Sequence, residues 1–234
     1  LLGRSNVNLA GGAECMSRVG HNLQSARFGQ KMGHVKAVDM MTGALTDPFG
    51  NGHMGITAEN VAKEMNITRQ RQDELAYNSH LRASKAINAG YFKEQILPVV
   101  IQTGKKQEVF DTDEHLRKQV NLQDFSKLKP AFDRDGTVTA GNSSGINDGA
   151  SALVLANKSA ISKYSMPVMA KIISYGVGGV APNLMGLGPI PATREALFIA
   201  GLNISQIDCI ESNEAFAAQA CAVAGELDFD PAKT

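Results

Sequence analysis

Apolar residues recur along the chain in short blocks separated by glycine, proline and polar stretches. Val7-Asn-Leu-Ala-Gly-Gly12 reads as a short buried strand ending in a glycine turn. From Arg18 to about Asp47 no period is sustained, which predicts a long loop of the kind that carries function or is disordered. A helix is predicted from Thr57, with Val61, Ala62 and Met65 on one face. A second follows from its N-cap Thr68 through Leu75, Ala83, Ala86 and Ile87 to Gly90, a C′ glycine. Ile96–Gln102 is β-branched and predicts a strand. The stretch from Gly104 to Asp124 is polar and predicts no element. Gly136–Gly141, Ser151–Ala156 and Val168–Val177 predict further strands. Pro191 opens a helix over Ala192–Ala200, closed by Gly201. Asp208–Glu211 predicts a strand, and Glu214–Ala224 an alanine-rich helix capped by Asn213. Strands alternating with helices point to a layered α/β architecture.

Composition narrows this little. The 234 residues are 43% hydrophobic and 20% charged, with 23 basic and 23 acidic residues. A formal net charge of zero gives no reason to expect nucleic acid or an anionic membrane as partner. The uncharged run from Ile172 to Thr193 is long enough for a membrane span. Its glycines and Pro182, Pro189 and Pro191 break any continuous helix, so it reads as a strand and a loop. Cys15, Cys209 and Cys221 show no zinc spacing. They read as reduced, mostly buried thiols acting as small apolar filler in a cytoplasmic protein. Leu1 is not an initiator methionine and no signal peptide follows it, so the chain reads as an internal segment with both ends cut.

Two stretches carry candidate chemistry. In Glu211-Ser-Asn-Glu-Ala-Phe-Ala-Ala-Gln219, the Asn213 amide at a helix start is placed either to donate to developing negative charge or only to cap the helix. In Gly136-Thr-Val-Thr-Ala-Gly-Asn-Ser-Ser-Gly-Ile-Asn-Asp-Gly-Ala150, glycines and short polar residues mark a tight turn that brings backbone amides and a hydroxyl to a ligand. Alone, such a loop is as well read as structural. It is not a phosphate-gripping loop, since no Gly-Lys-Ser/Thr follows. His21, His34, His80 and His115 lack partners at useful spacing, and whether His34 and His115 touch phosphate stays open. Lys105-Lys106 and Arg117-Lys118 read as solvated faces.

These two strings, together with His53-Met-Gly-Ile-Thr-Ala-Glu-Asn60, Lys129-Pro-Ala-Phe-Asp133 and Met185-Gly-Leu-Gly-Pro-Ile-Pro-Ala-Thr193, resemble the motifs of the thiolase family in identity and order. The resemblance runs from Gly11 to the C-terminus and is nearest the acetyl-CoA acetyltransferase branch. It implies a partial αβαβα layered fold with an inserted loop domain. Residues 1–16 would be a remnant of the N-terminal half. Residues 17–146 would be the loop domain, for CoA binding and tetramer contacts through Gly20–Asp39. Residues 147–234 would open the C-terminal half.

The reaction so implied is reversible condensation of two acetyl-CoA to acetoacetyl-CoA and CoA through a cysteine acyl-enzyme, in fatty-acid metabolism. It needs no metal or redox cofactor. By the same resemblance, Asn213 matches the oxyanion-hole asparagine, acting through a held water. His53 and Met54 match residues beside the substrate, and the bulk of Met54 fits short acyl chains. Leu45, Ala131, Phe132, Ala140, Ser144 and Met185 match the lining of the pantetheine tunnel. Arg117 matches a basic residue near the adenine and phosphate end, and Phe216 one near the acyl group. The partners implied are acetyl-CoA or acetoacetyl-CoA and further copies of the chain in a homotetramer.

The family's Cys-Gly/Ser-rich nucleophile turn, His-Pro-x-Gly motif and late Cys-x-Gly-Gly motif do not occur in these residues. Cys15, Cys209 and Cys221 do not stand in for them. Loss of a nucleophile costs on the order of 10⁶ in turnover in another enzyme class, so the chain alone is expected to be inactive. Two other functions remain in view: a 3-ketoacyl-CoA thiolase of fatty-acid oxidation, and a non-catalytic CoA-binding or oligomerisation module.

Overall fold

The computed structural model describes residues 3–117 and 119–234. Leu1, Leu2 and Lys118 lie outside the described residues, and with them the reading of Lys118 as part of a solvated face. The chain divides into two compact units. One comprises the chain up to Met54 together with Ile146–Gly179 and Pro191–Asn203. The other comprises Gly55–Gly145, Val180–Ile190 and Ile204–Thr234.

In the first unit, β1 (Val7–Glu14) pairs antiparallel with β6 (Gly149–Ala156), in a register running from Val7 opposite Ala156 to Glu14 opposite Gly149. Gly11 permits the close approach, since a Cβ there would lie 2.6 Å from the Ser151 carbonyl oxygen. The expected strand is present, but it is not buried: Leu9 is 78% and Leu153 62% exposed. The expected loop after Arg18 contains a small hairpin, β2 (His21–Leu23) with β3 (Ala37–Asp39). It leads into α1 (Met40–Ala44), capped by the Asp39 carboxylate, which accepts from Met41 N. After β6, Asn157 caps α5 (Lys158–Tyr164) by accepting from Ala160 N.

Val168–Val177 does not form a strand. A β-branched run becomes a strand only where another strand supplies its ladder partners. Here Val168, Ile172, Ile173 and Val177 are all exposed, and the segment joins no ladder among the described residues. Gly176 and Gly178 instead lie against Ala192 and Pro191 of α6 (Pro189–Ala200), where a side chain would overlap. That helix begins at Pro189 rather than Ala192 and ends, as expected, at a positive-φ Gly201.

The second unit is built on helices. Helix α2 begins at Met54 and runs to Glu64, three residues earlier than expected. Helix α3 (Arg69–Asn88) starts at its predicted cap, where Thr68 accepts from Arg71 N, and is followed by Gly90 at φ 78°. Helix α7 (Ala217–Glu226) packs on α3. All seven residues from Ala217 to Val223 are buried, as expected of a helix whose small side chains let neighbours approach on every face. The core gathers Val61, Ala62, Ile67, Val138, Ala218 and Cys221. A smaller cluster holds Ile190, Val223 and Leu227.

Three departures have identifiable causes. The polar stretch after Gly104 contains β5 (Lys106–Phe110), which pairs with β4 (Val99–Thr103) around a two-residue turn with Gly104 at φ 60°. It also contains α4 (Leu122–Ser126), capped by Asn121. Gly136–Gly141 is not a strand, because the amides of Thr137 and Val138 are taken by the Glu59 carboxylate instead of a ladder. Asp208–Glu211 is likewise irregular, with Ile210 N donating to Lys233 O at 2.7 Å.

Candidate functional site

The Gly-rich stretch is fixed by a polar network of buried and half-buried groups. Glu59, on α2, accepts from Thr137 N at 2.8 and 2.9 Å, from Val138 N at 2.8 Å and from Thr137 Oγ1 at 3.1 Å. Thr137 Oγ1 accepts in turn from Gln72 Nε2 of α3 at 2.9 Å. Gly141 packs where a Cβ would crowd Leu128 and Phe125. Ala140 and Ser144 lie on this loop, both exposed.

The loop then pairs with the segment Ser212–Phe216. Ser144 N donates to Ala215 O and Ala217 N to Asn142 O, each at 2.9 Å, and Ser143 bridges Phe216. This pairing draws the segment out into extended backbone, with Phe216 at φ −139°, ψ 137°. Helix α7 therefore starts at Ala217 with Phe216 in the N-cap position. The expected N-cap role of Asn213 is corrected: it lies in the extended approach, exposed, with its amide outside the helix.

Phe132 and Phe216 meet edge to face at 6.0 Å between ring centroids and 81° between planes, a favourable aromatic arrangement. The Phe132 ring occupies the space that a side chain at Gly55 would need. Ala131, beside it, donates its N–H to Val138 O at 2.9 Å. Met185 sits, 41% exposed, on the 3₁₀ turn Pro182–Leu187 that packs on α7. Arg117 is exposed, close enough to His80 for its charge to be felt there. Burial, then the charges of His115 and Arg117, hold the His80 imidazole below its ordinary range, while Glu214 acts in the opposite sense. His115 lies over Gly145, one residue past Ser144.

In the first unit, Leu45, His53 and Met54 are brought together by the ends of one loop. Met54 N donates to Leu45 O at 2.7 Å, and His53 bridges Thr46. Asp47 holds the loop between them, accepting from Asn51 N and Nδ2 and from Phe49 N. The Asn51 bonds hold its carboxyl below the usual range.

Sequence reasoning did not single out the residues that support these positions: Gly55, Glu59, Asp73 and Asn142. The carboxylates of Glu59 and Asp73 give no local signal of this role, because the loop groups they hold are 69 to 79 residues away in sequence. A cavity of about 170 Å³ beside Glu214 is lined by Leu75, Arg82, Ser212, Ala220, Phe229 and Thr234 among others. None of the predicted tunnel residues lines it.

The thiols correct a further expectation. Cys15 and Cys209 are exposed, so only Cys221 is apolar filler. Cys15 and Ser17 both donate to the Asp148 carboxylate, through Sγ at 3.7 Å and Oγ at 2.6 Å. Among the described residues, no group of three or more His, Cys, Asp and Glu is placed to hold a metal. No helix among them is long and apolar enough to cross a membrane.

Residues 1–159 match the family model "Thiolase, N-terminal domain", and residues 166–234 match "Thiolase, C-terminal domain". The beta-ketothiolase of Cupriavidus necator is 54% identical over 234 residues, covering 100% of this chain and 59% of that protein. The crystal structure of the Bacillus anthracis acetyl-CoA acetyltransferase superposes with a TM-score of 0.92 at 45% identity, over 99% of this chain and 59% of its own. The human mitochondrial 3-ketoacyl-CoA thiolase does so with a TM-score of 0.93 at 41% identity, over 100% and 59%. The chain thus spans about 59% of the length of the relatives it matches, and in sequence and fold alike it belongs to the thiolase family.

Proposed function

We propose that this chain supplies the CoA-binding surface and one oxyanion donor of an acetyl-CoA C-acetyltransferase that joins two acetyl-CoA into acetoacetyl-CoA and CoA, reversibly. The observation that carries this reading is the pairing of the Ser144 loop with the segment bearing Asn213 and Phe216. It ties a hydroxyl-bearing, glycine-rich turn to a side-chain amide and an aromatic ring. A thioester α-proton is weakly acidic, so the enolate needs donors fixed in advance, and a backbone-paired segment provides that rigidity. Asn213 acts through a held water. Leu45, His53, Met54, Ala131, Phe132, Ala140, Met185 and Phe216 contact the acyl-pantetheine arm, Ser144 bonds it, and Arg117 meets the nucleotide end.

On this reading residues 17–146 form the inserted loop domain, between a remnant of the N-terminal half and the start of the C-terminal half. The protein is a cytoplasmic homotetramer with Gly20–Asp39 at a subunit contact. The nucleophilic cysteine and the acid–base histidine and cysteine lie outside these 234 residues, so the chain alone turns nothing over. Acetoacetyl-CoA thiolysis by the purified 234-residue chain would refute that statement.

In the whole protein, Asn213→Ala is expected to lower kcat by about 10² to 10³. Ser144→Ala and Arg117→Ala are expected to weaken CoA binding in calorimetry. Unchanged kcat in the first variant and unchanged affinity in the other two would sink the assignment. Turnover unaffected by a chelator is expected, since no step is routed through a metal. A second reading, 3-ketoacyl-CoA thiolase, is favoured by the likeness to the human mitochondrial enzyme of that name. The kcat/KM for acetoacetyl-CoA against longer 3-ketoacyl-CoA substrates separates the two. A preference for long chains would favour the second reading and count against Met54 as the limit on the acyl pocket.

A further inference from the structure

We propose that Asp73 is a positioning residue for the Ala140–Ser144 turn and, through Asn142, for the segment that carries Asn213 and Phe216. The inference rests on the CoA-site reading above.

Asp73 lies within α3, four residues after Arg69, and is 3% exposed. Its two oxygens have separate partners. Oδ2 accepts from Arg69 Nε at 2.8 Å, and Oδ1 accepts from Asn142 Nδ2 at 2.9 Å. Asn142 is 2% exposed and every polar group it has is engaged. Its Nδ2 also donates to Thr137 O, its Oδ1 accepts from Thr139 N at 2.7 Å, its N–H donates to Thr139, and its C=O accepts from Ala217 N. Asn142 thus joins helix α3, the Gly-rich loop and the first turn of α7 by hydrogen bonds.

A carboxylate can only accept, so it dictates which way the Asn142 amide faces. The NH₂ must point to Asp73 and the oxygen to Thr139 N. With an apolar neighbour the Asn142 NH₂ would keep only Thr137 O as acceptor, leaving one N–H buried without a partner and loosening the turn that the Thr139 N bond closes. Stability alone does not account for this arrangement. A buried ion pair commonly adds little over well-packed apolar side chains, while removing one partner leaves an uncompensated group. What the pair does supply is a single orientation. Arg69 completes it by donating through Nη2 to the carbonyls of Phe125 and Leu128, which fixes α3 against α4.

The test uses the whole protein, with CoA affinity by calorimetry, kcat and KM for acetoacetyl-CoA thiolysis, and the thermal midpoint. Asp73→Leu removes the acceptor and is expected to weaken CoA about tenfold and to lower kcat. Asp73→Asn keeps an oxygen for Asn142 but turns its NH₂ toward Arg69 Nε, so its affinity should fall clearly less than that of Asp73→Leu. Val223→Ala, in the smaller core cluster, is the control, expected to lower the thermal midpoint with affinity unchanged.

If Asp73→Leu does not fold, Asn142→Asp carries the test. It sets two carboxylates against each other and should weaken binding, and adding Asp73→Asn should restore part of it. Wild-type affinity and kcat in Asp73→Leu overturn the proposal and leave the CoA site standing. Equal losses in Val223→Ala do the same, since the effect is then general destabilisation. In the Asn142→Asp arm, unweakened binding or no restoration by Asp73→Asn overturns it likewise. No CoA binding by the wild type overturns both.

Discussion

At Gly55 the first turn of α2 has no room for a methyl group, because the Phe132 ring already occupies the position of a Cβ. Gly55→Ala must therefore push the ring off its edge-to-face contact with Phe216. Overpacking of this kind costs about 1–3 kcal/mol, to be read as a lower urea midpoint at unchanged m-value, with weaker CoA binding alongside. Cys221 makes a second prediction at this scale. It is 4% exposed, and burial pushes its thiol up, with Arg71 opposing in part. Below the ordinary thiol range neither folded nor unfolded chain ionises it. Above that range the unfolded chain does so first, so stability present at neutral pH is lost as pH rises toward the raised value. Cys221→Ala should show a smaller fall in unfolding free energy between about pH 7.5 and pH 10 than wild type. The same burial makes Cys221 slow toward a thiol reagent that labels Cys15 and Cys209 quickly. These supports were not legible in advance. Nothing near Gly55 or Glu59 in sequence announces Phe132 or the Thr137 amide, whereas Ser144 and Phe216 sit in strings distinctive enough to be read directly.

Elements defined by local chemistry were legible, and those defined by a distant partner were not. Thr68 and Gly90 bound α3 as its sequence predicts, because a side-chain cap and a positive-φ glycine act within one turn. Thr68→Ala removes the bond to Arg71 N and is expected to cost about 1 kcal/mol, typical of a lost cap. A chemical denaturation curve on the whole protein checks it, and an unchanged midpoint would contradict the cap as a source of stability. Helix α7 shows the other case. Its alanine-rich run allows a start at Glu214, and the pairing of Ala215, Phe216 and Ala217 with the loop from Asn142 to Ser144 postpones it to Ala217. Strand β5 reads as polar loop because its sequence, Lys-Gln-Glu-Val-Phe, has little strand character of its own. It becomes a strand because Gly104 turns it back onto β4. Val168–Val177 is the converse, strong in strand propensity and without a ladder.

At the scale of the molecule, the surface is the informative quantity. Large apolar side chains lie at the surface of each unit. Leu153 and Val154 of β6 are more than half exposed, as are Ile172, Ile173 and Val177 after it, and in the other unit every residue of β4 and β5 is exposed. Contiguous apolar surface beyond a few hundred Å² is rare on soluble monomers and drives association. Net charge offers no opposing force, since 23 basic residues balance 23 acidic ones, and a chain near neutrality lacks the self-repulsion that keeps such surfaces apart. The outer edges of β1, β6, β4 and β5, unpaired among the described residues, add backbone donors and acceptors that another chain can satisfy. The purified 234-residue chain is therefore expected to bind a hydrophobic dye strongly and to sediment as a concentration-dependent mixture of species. Moderate salt should increase the association, because the attraction is apolar and not ionic. A monodisperse monomer that leaves the dye dark would mean that these faces are covered in solution by a rearrangement of the chain itself, and would remove the reason for expecting the residues proposed to bind CoA to keep their places in the isolated chain.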